Sequence, residues 1–558
     1  ALCMAATLVL APVLWSQGYQ IVALAGAGLA LAALLALPLP ARADERPQDG
    51  AGPMSAIDWL SRSVVTPAAM GPGGHPGASS GSAATGPARP GEPPVTSGVG
   101  TEDVAVSSLD APSANALGLL PARTTGLPPG LWGATPEAEL VSLLRKERLD
   151  PLPSIQAFLM ELSLAELDPP RIVTSPGRNA LYLARVDRLL DLGALDQAAA
   201  LLEQADPTDA EVFRRHFDVA LLLGQEDRAC EILRSSPEIA PSFPALIFCV
   251  ARNGDWQTAA LSFGTGRALG QIEPDIEPLL ERFLDPELAE DVEDLPPPAR
   301  PSPLVFRMME AIGQPMPTGP LPLAFAQADL RANTGWKARI EAAERLARLG
   351  SVDANQLFGL YTERRAAASG GVWDRARLMA AADAAIAAKD RDRLAQLLPA
   401  LWDAMQAQEL ETVPAALWGA DLAAMALPGD AGCIATRMAL LGPAAEATAR
   451  NASPRDLDEA LLYGIAKGST ATLRAQDQLG LVLKQVFDAP VRTAPPSYAR
   501  LIPDRLGEAL LAAIDDVTEG ARGDYRRLVA GLQMIRFAGL EALARRTALE
   551  LVILERRG

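Results

Sequence analysis

From Pro136 to the C-terminus, apolar residues recur at helical spacing with short breaks. That pattern belongs to amphipathic helices that bury one face and leave the other polar. Within it, one stretch occurs three times between Asn179 and Gly270: Leu192-Gly193-Ala194-Leu195-Asp196-Gln197-Ala198, Leu223-Gly224-Gln225-Glu226-Asp227-Arg228-Ala229, and Asn253-Gly254-Asp255-Trp256-Gln257-Thr258-Ala259. The glycines lie 31 and 30 residues apart, and an alanine follows each by five. The spacing predicts helices over 179–192 and 195–204, over 209–223 and 227–233, and over 243–252 and 256–269. In each pair Gly193, Gly224 or Gly254 supplies the left-handed turn. Ala198, Ala229 or Ala259 lets the two helices approach closely. A period near thirty with each copy between helical patterns predicts an all-α fold, an α-solenoid of stacked helix hairpins.

The repeat occupies a first block, 136–294, which begins with a proline and acidic residues suited to a helix start. A proline-rich joint at 295–304 precedes a second helical block, 305–410, with helices expected over 336–349, 354–365 and 372–389. Ser369-Gly370-Gly371 reads as the turn and cap ahead of Val372. The third block, 411–558, ends in a helix over 540–554 whose apolar Leu543, Ala544, Leu551 and Leu554 oppose Arg545 and Arg546. Such a helix suits the polar outer end of a stack.

Ahead of the helices the composition changes twice. Residues 1–43 carry Arg42 as their one charge, with an apolar run over 21–37, then Pro38-Leu39-Pro40 and Ala41-Arg42-Ala43. This reads as a secretory signal with cleavage after Ala43, or as an uncleaved membrane anchor. Both readings put the remainder outside the cytoplasm, in the periplasm. Residues 44–135 are rich in Pro, Gly, Ser, Ala and Thr, the composition of a disordered linker. Two apolar islands interrupt it. One, at 55–65, sets Ile57 and Leu60 at helical spacing beside Trp59, and either docks into a partner's groove or packs on its own helices. The other, Leu117 to Trp132, is expected to lie over the first helices as a cap.

Gly193, Leu195 and Ala198, and likewise Gly254, Trp256 and Ala259, resemble the hairpin-turn segment of the tetratricopeptide repeat family: glycine, a bulky residue two later, alanine after five. Glu226 replaces the bulky residue in the middle copy, and the period is shorter than that family's usual thirty-four. The resemblance covers roughly ninety residues. It implies a superhelical surface that binds protein, and it carries no catalytic residues.

Composition narrows the partners. The chain has 558 residues, 49% of them hydrophobic, and a net charge of −18. Nucleic acid and anionic membrane surfaces require a basic footprint, so neither is expected as the main partner. Membrane contact is expected only through the N-terminal segment, if it is uncleaved. Cys230 and Cys249 fall on facing helices of successive hairpins and are either a disulfide or two buried small hydrophobes. Cys433 is expected to be a buried thiol. With two histidines in the chain, His75 and His216, a histidine-based zinc site is excluded, and no metal or cofactor is expected. Gly77-Ala78-Ser79-Ser80-Gly81 lacks the strand and helix of a nucleophile elbow. Gly264-Thr265-Gly266-Arg267-Ala268-Leu269-Gly270 lacks the strand of a dinucleotide loop, and Lys467-Gly468-Ser469-Thr470 inverts a phosphate loop.

These observations point to a non-catalytic periplasmic adaptor that binds a protein of a cell-envelope complex, in motility, secretion or cell-wall machinery. Ile57, Trp59 and Leu60 on the linker and Trp256, Trp336 and Trp373 on the helices are the candidate contacts, because aromatic residues anchor interfaces. The alternative is an enzyme acting on peptidoglycan. Lytic transglycosylases carry long helical domains, but their catalytic glutamate is followed by serine, and this chain has no Glu-Ser pair.

Overall fold

The computed structural model describes residues 113–148, 151–173, 178–285, 287 and 293–554. Segment 1–43, the linker as far as 112 and the island at 55–65 lie outside the described residues. Among the described residues the elements are helices, with two isolated bridges, Leu120 to Ala165 and Pro136 to Ile172.

Three helices precede the repeat: α1 (Ala122–Thr125), α2 (Glu137–Lys146) and α3 (Pro153–Leu164). The repeat itself is α4 (Ala180–Asp191) with α5 (Leu195–Leu202), α6 (Ala210–Leu223) with α7 (Glu226–Ser235), and α8 (Phe243–Arg252) with α9 (Trp256–Ala268). Gly193, Gly224 and Gly254 sit at the turns with φ of 70°, 73° and 90°, a backbone that a residue with a Cβ adopts only under strain. Ala198, Ala229 and Ala259 are fully buried against the partner helix.

Helix α10 (Glu277–Leu284) covers the last hairpin, and after the proline-rich stretch α11 (Pro303–Ala311) runs back onto α6, followed by the single turn α12 (Ala326–Asp329). Buried ion pairs fix the spacing of these helices. Arg215 on α6 forks onto Asp187 on α4 at 2.7 and 3.0 Å, with both side chains almost wholly buried. Glu226 on α7 receives Arg307 of α11 at 3.0 Å and Arg252 of α8 at 3.2 Å. The Arg215 fork is bidentate and sets the angle between α4 and α6, whereas Arg307 and Arg252 converge on one oxygen of Glu226 and draw α11 and α8 onto α7.

The remaining helices are α13 (Trp336–Arg348), α14 (Ala354–Thr362), α15 (Val372–Ala387), α16 (Arg391–Gln406), α17 (Thr412–Ala424), α18 (Gly429–Leu441), α19 (Ala445–Asn451), α20 (Leu457–Lys467), α21 (Gln478–Phe487), α22 (Leu506–Ala521), α23 (Tyr525–Phe537) and α24 (Glu541–Ile553). They share one hydrophobic core with α2 and α3, whereas the hairpins carry two clusters of their own. The expected helix over 354–365 ends at Thr362. Arg339 on α13 holds Glu363 at 2.7 Å, and the chain leaves as a loop through Gly370 and Gly371, both at positive φ.

Two expectations are corrected here. The C-terminal helix is not a polar end cap: α24 packs against α3, α18, α20, α21 and α23. Its Glu550 accepts hydrogen bonds from the Ser154 backbone N–H at 2.9 Å and the Ser154 hydroxyl at 2.6 Å, so a carboxylate near the end of the chain caps the N-terminus of α3. The second correction concerns residues 113–135, which belong to the fold rather than to a disordered linker; within them the island Leu117 to Trp132 lies against the first helices, as expected of a cap, with Trp132 fully buried. Gly507 of α22 lies so close that a Cβ there would stand 2.6 Å from the Trp132 ring, and its N–H donates to Leu131 O at 2.9 Å.

Arg185 on α4 explains why that segment is ordered. The side chain is fully buried, and burial lowers its pKa to about 10, so it remains charged at neutral pH. Its guanidinium donates to Ser163 O and Ala165 O at the end of α3 and to Asn115 O and Leu117 O of the incoming segment, at 2.5 to 3.2 Å. Leu164 O, between the first two, accepts from the N–H groups of Leu119 and Leu120. The carbonyls that a helix end leaves unpaired thus receive a cation and an extended strand of chain. Arg185→Met is expected to lower stability by at least about 3 kcal/mol, because each carbonyl left without a donor costs about 1–3 kcal/mol. Urea denaturation followed by circular dichroism checks this, and an unchanged midpoint would remove the clamp from the account.

Candidate functional site

Helix α9 differs from the other helices of the repeat in how little of it is covered. Ala259, Phe263 and Gly266 are its buried residues. Trp256, Leu261 and Leu269 are 47%, 73% and 64% exposed. At about 100° per residue these three do not share one line, and Gln257, Thr258, Thr265 and Arg267 stand exposed among them, so the outward side carries separate large apolar side chains among polar ones. Close seating on α8 produces this geometry: a Cβ at Gly266 would stand 2.3 Å from the Phe243 ring, so α9 can lie flat only with glycine there. Trp256 keeps one edge on Phe283 of α10, with ring centres 5.8 Å apart, and turns the rest outward. Large apolar side chains facing water in this way can seat in pockets of another protein.

The other two tryptophans on the helices are placed differently. Trp336 and Trp373 pack together, with ring centres 5.0 Å apart, and the Trp336 indole N–H donates to Leu360 O at 2.8 Å. Both are half-buried and tie α13, α14 and α15 together. Ile57, Trp59 and Leu60 lie outside the described residues.

Cys230 on α7 and Cys249 on α8 are joined by a disulfide, with Cα atoms 4.8 Å apart, which staples the second hairpin to the third. Cys433 is exposed, contrary to the expectation of a buried thiol. It stands on the outer side of α18, whose inner side is taken by Ala431, Gly432 and Ala435. His216 is buried in α6, edge-on to Phe213 at 6.1 Å. Gly264-Thr265-Gly266 lies within α9, and Gly468 ends α20 with φ of 75°. Among the described residues no group of three or more His, Cys, Asp or Glu is arranged to hold a metal.

One constellation was not identified from the sequence. Arg188 on α4 donates to Glu147 O at 2.8 Å and Arg148 O at 2.5 Å, closing the end of α2. Burial raises the Glu147 carboxyl to about 7 despite Arg188, with Asp515 of α22 adding to the rise. Burial likewise raises Asp191 to about 7, against Arg188 and reinforced by Asp187. These groups can hold or release a proton near neutral pH at the seam between α2, α4 and α22. The available signal was the charge density of Arg185-Val186-Asp187-Arg188-Leu189-Leu190-Asp191 on a helix otherwise apolar enough to be buried.

A pH dependence follows. Both carboxyls bind a proton more tightly in the folded than in the unfolded chain, whose values are 4.5 and 3.8. Their contribution is therefore complete at acid pH below those values and is lost as the pH rises through about 7. The Glu147→Gln and Asp191→Asn double variant should melt higher than the parent at pH 8 and no higher at pH 4; parallel pH profiles would contradict the assignment. For the staple, non-reducing peptide mapping should recover one peptide joining Cys230 to Cys249. Replacing both by serine should cost about 3 kcal/mol. Two free thiols in the parent chain would retire the bond.

No family model, no curated protein and no solved structure matches this chain. A functional reading has to stand on the geometry above.

Proposed function

We propose that the protein is a non-catalytic helical-repeat scaffold of the cell envelope, a tetratricopeptide-like stack whose outward α9 face holds a protein partner. The observation that carries this reading is the exposure of Trp256, Leu261 and Leu269, three large apolar side chains left uncovered along a helix whose buried side is packed. Large side chains held on a packed helix need little ordering on binding, so the area they bury goes largely into affinity. The Cys230–Cys249 staple supports an oxidising compartment. The apolar run at 21–37 supports export or anchoring at the inner membrane, in keeping with a scaffold in the periplasm. Motility, secretion and cell-wall machines are the settings such an adaptor suits.

The second reading is an enzyme acting on peptidoglycan. What favours it is the pair of carboxyls raised to about 7, Glu147 and Asp191, since a general acid at neutral pH requires such a value. Their buried setting behind the Arg188 contacts favours a structural role instead.

In-cell crosslinking followed by affinity capture tests the scaffold reading with three chains: the parent, Leu261→Asp, and a deletion of 44–112 that leaves the ordered segment from 113 intact. The parent should recover an envelope protein, and Leu261→Asp should lose it at unchanged melting temperature. Loss on the deletion alone would move the docking element to Ile57, Trp59 and Leu60. Release of muropeptides from purified sacculi by the parent, abolished in Glu147→Gln or Asp191→Asn, would overturn the scaffold in favour of the enzyme.

A further inference from the structure

An open cleft of about 990 Å³ lies between the end of α14, the loop 363–371, α15 and α16. Its charge is unusual for a chain of net charge −18. Four arginines line it, Arg364 and Arg365 from the loop, Arg377 from α15 and Arg393 from α16, and its acids are Glu363 and Asp374. Those acids are already engaged. Glu363 takes Arg364 at 3.3 Å and Arg339 at 2.7 Å, and Asp374 takes Arg377, which also holds the loop through Ala368 O at 2.8 Å. The guanidiniums of Arg365 and Arg393 make no hydrogen bond or ion pair among the described residues, and both side chains are exposed. The cleft therefore presents two uncompensated cations.

Its floor is apolar and fixed. Leu378, Ala381 and Leu397 line it beside Tyr361. The Tyr361 hydroxyl donates to Glu344 at 2.8 Å, and Arg375 forks onto the same carboxylate at 2.7 and 2.6 Å. That buried network locks α13, α14 and α15 beneath the floor, so the arginines above it stand on a preformed surface. A small inorganic anion would leave the floor wet, and a uniformly charged polyanion would set charge against hydrocarbon. A ligand that fits both features carries carboxylates next to apolar side chains. Guanidinium forks match carboxylates in particular.

We propose that this cleft is a docking groove for an acidic protein segment, whose carboxylates pair with Arg365 and Arg393 while an apolar side chain seats on the Leu378–Leu397 floor. The inference rests on the scaffold reading and adds to it a second contact surface and the chemistry of what it takes.

The test is fluorescence polarisation of the intact chain with a short fluorescein-labelled peptide of alternating glutamate and leucine pairs. Binding should be seen, should weaken as salt is raised, and should fall about tenfold or more in Arg365→Glu/Arg393→Glu. That variant should melt with the parent, because both residues are exposed. A control peptide with glutamine in place of glutamate should bind poorly. Equal binding of the two peptides, unchanged binding by the double variant, or binding of phosphatidylglycerol vesicles in place of the peptide would each overturn the groove. The two readings fail separately. Capture of an envelope protein in cells without peptide binding leaves the scaffold and removes the groove, whereas peptide binding without any captured partner leaves the groove and removes the scaffold.

Discussion

Helix α3 is held at each end by a charge from a distant part of the chain, and the arrangement of the other helices depends on that fact. Its sequence, Pro153-Ser154-Ile155-Gln156-Ala157-Phe158-Leu159-Met160-Glu161-Leu162-Ser163-Leu164, is apolar on nearly every side and suits burial more than a surface position. A buried helix cannot leave its terminal N–H and C=O groups to water. Glu550 meets the N-terminus and Arg185 the C-terminus, an anion and a cation at the ends where the helix dipole favours each. The carboxylate comes from the last helix and the guanidinium from the first helix of the repeat, so two distant parts of the chain meet at the ends of α3.

The same helix that supplies Arg185 also carries the hairpins. Within Arg185 to Asp191, one residue clamps α3, Asp187 fixes α6, and Arg188 with Asp191 lies at the seam with α2 and α22. The hairpins are thus attached to the shared core through α4 and joined to one another by ion pairs and a disulfide. Coverage falls off along them, from α4, buried on most sides, to α9, buried along one line. That gradient leaves Trp256, Leu261 and Leu269 at α9 exposed.

What could be read from the sequence was local, and what could not depended on distant partners. The three turns announced themselves because a left-handed glycine and a close-packed alanine are needed within one turn of chain, whatever lies beyond it. In residues 113–135 the apolar island from Leu117 to Trp132 was legible as a cap, but its flanks read as linker because composition weighs what a segment can bury by itself. Their order comes instead from Arg185 and Gly507, neither of which lies nearby in sequence. The C-terminal helix read as an end cap for the same reason, since nothing near Glu550 indicates that it meets Ser154. Arg364 and Arg365 continued a helical pattern that tertiary contacts at Glu363 cut short, and with that cut they became the rim of a cleft. Of the tryptophans singled out on the helices, Trp256 faces solvent, whereas Trp336 and Trp373 stack on each other, a distinction that residue type does not carry.

Hydrogen exchange on the intact chain, followed by mass spectrometry, tests this account most directly. If α3 is the buried strut, its amides should exchange only with global unfolding, together with those of Leu119, Leu120 and Gly507, while the amides of α9 open earlier. Glu550→Ala should then release α3 and α24 together. Early exchange of α3 while α9 stays protected would contradict the account and would make the hairpins, not α3, the stable centre of the protein.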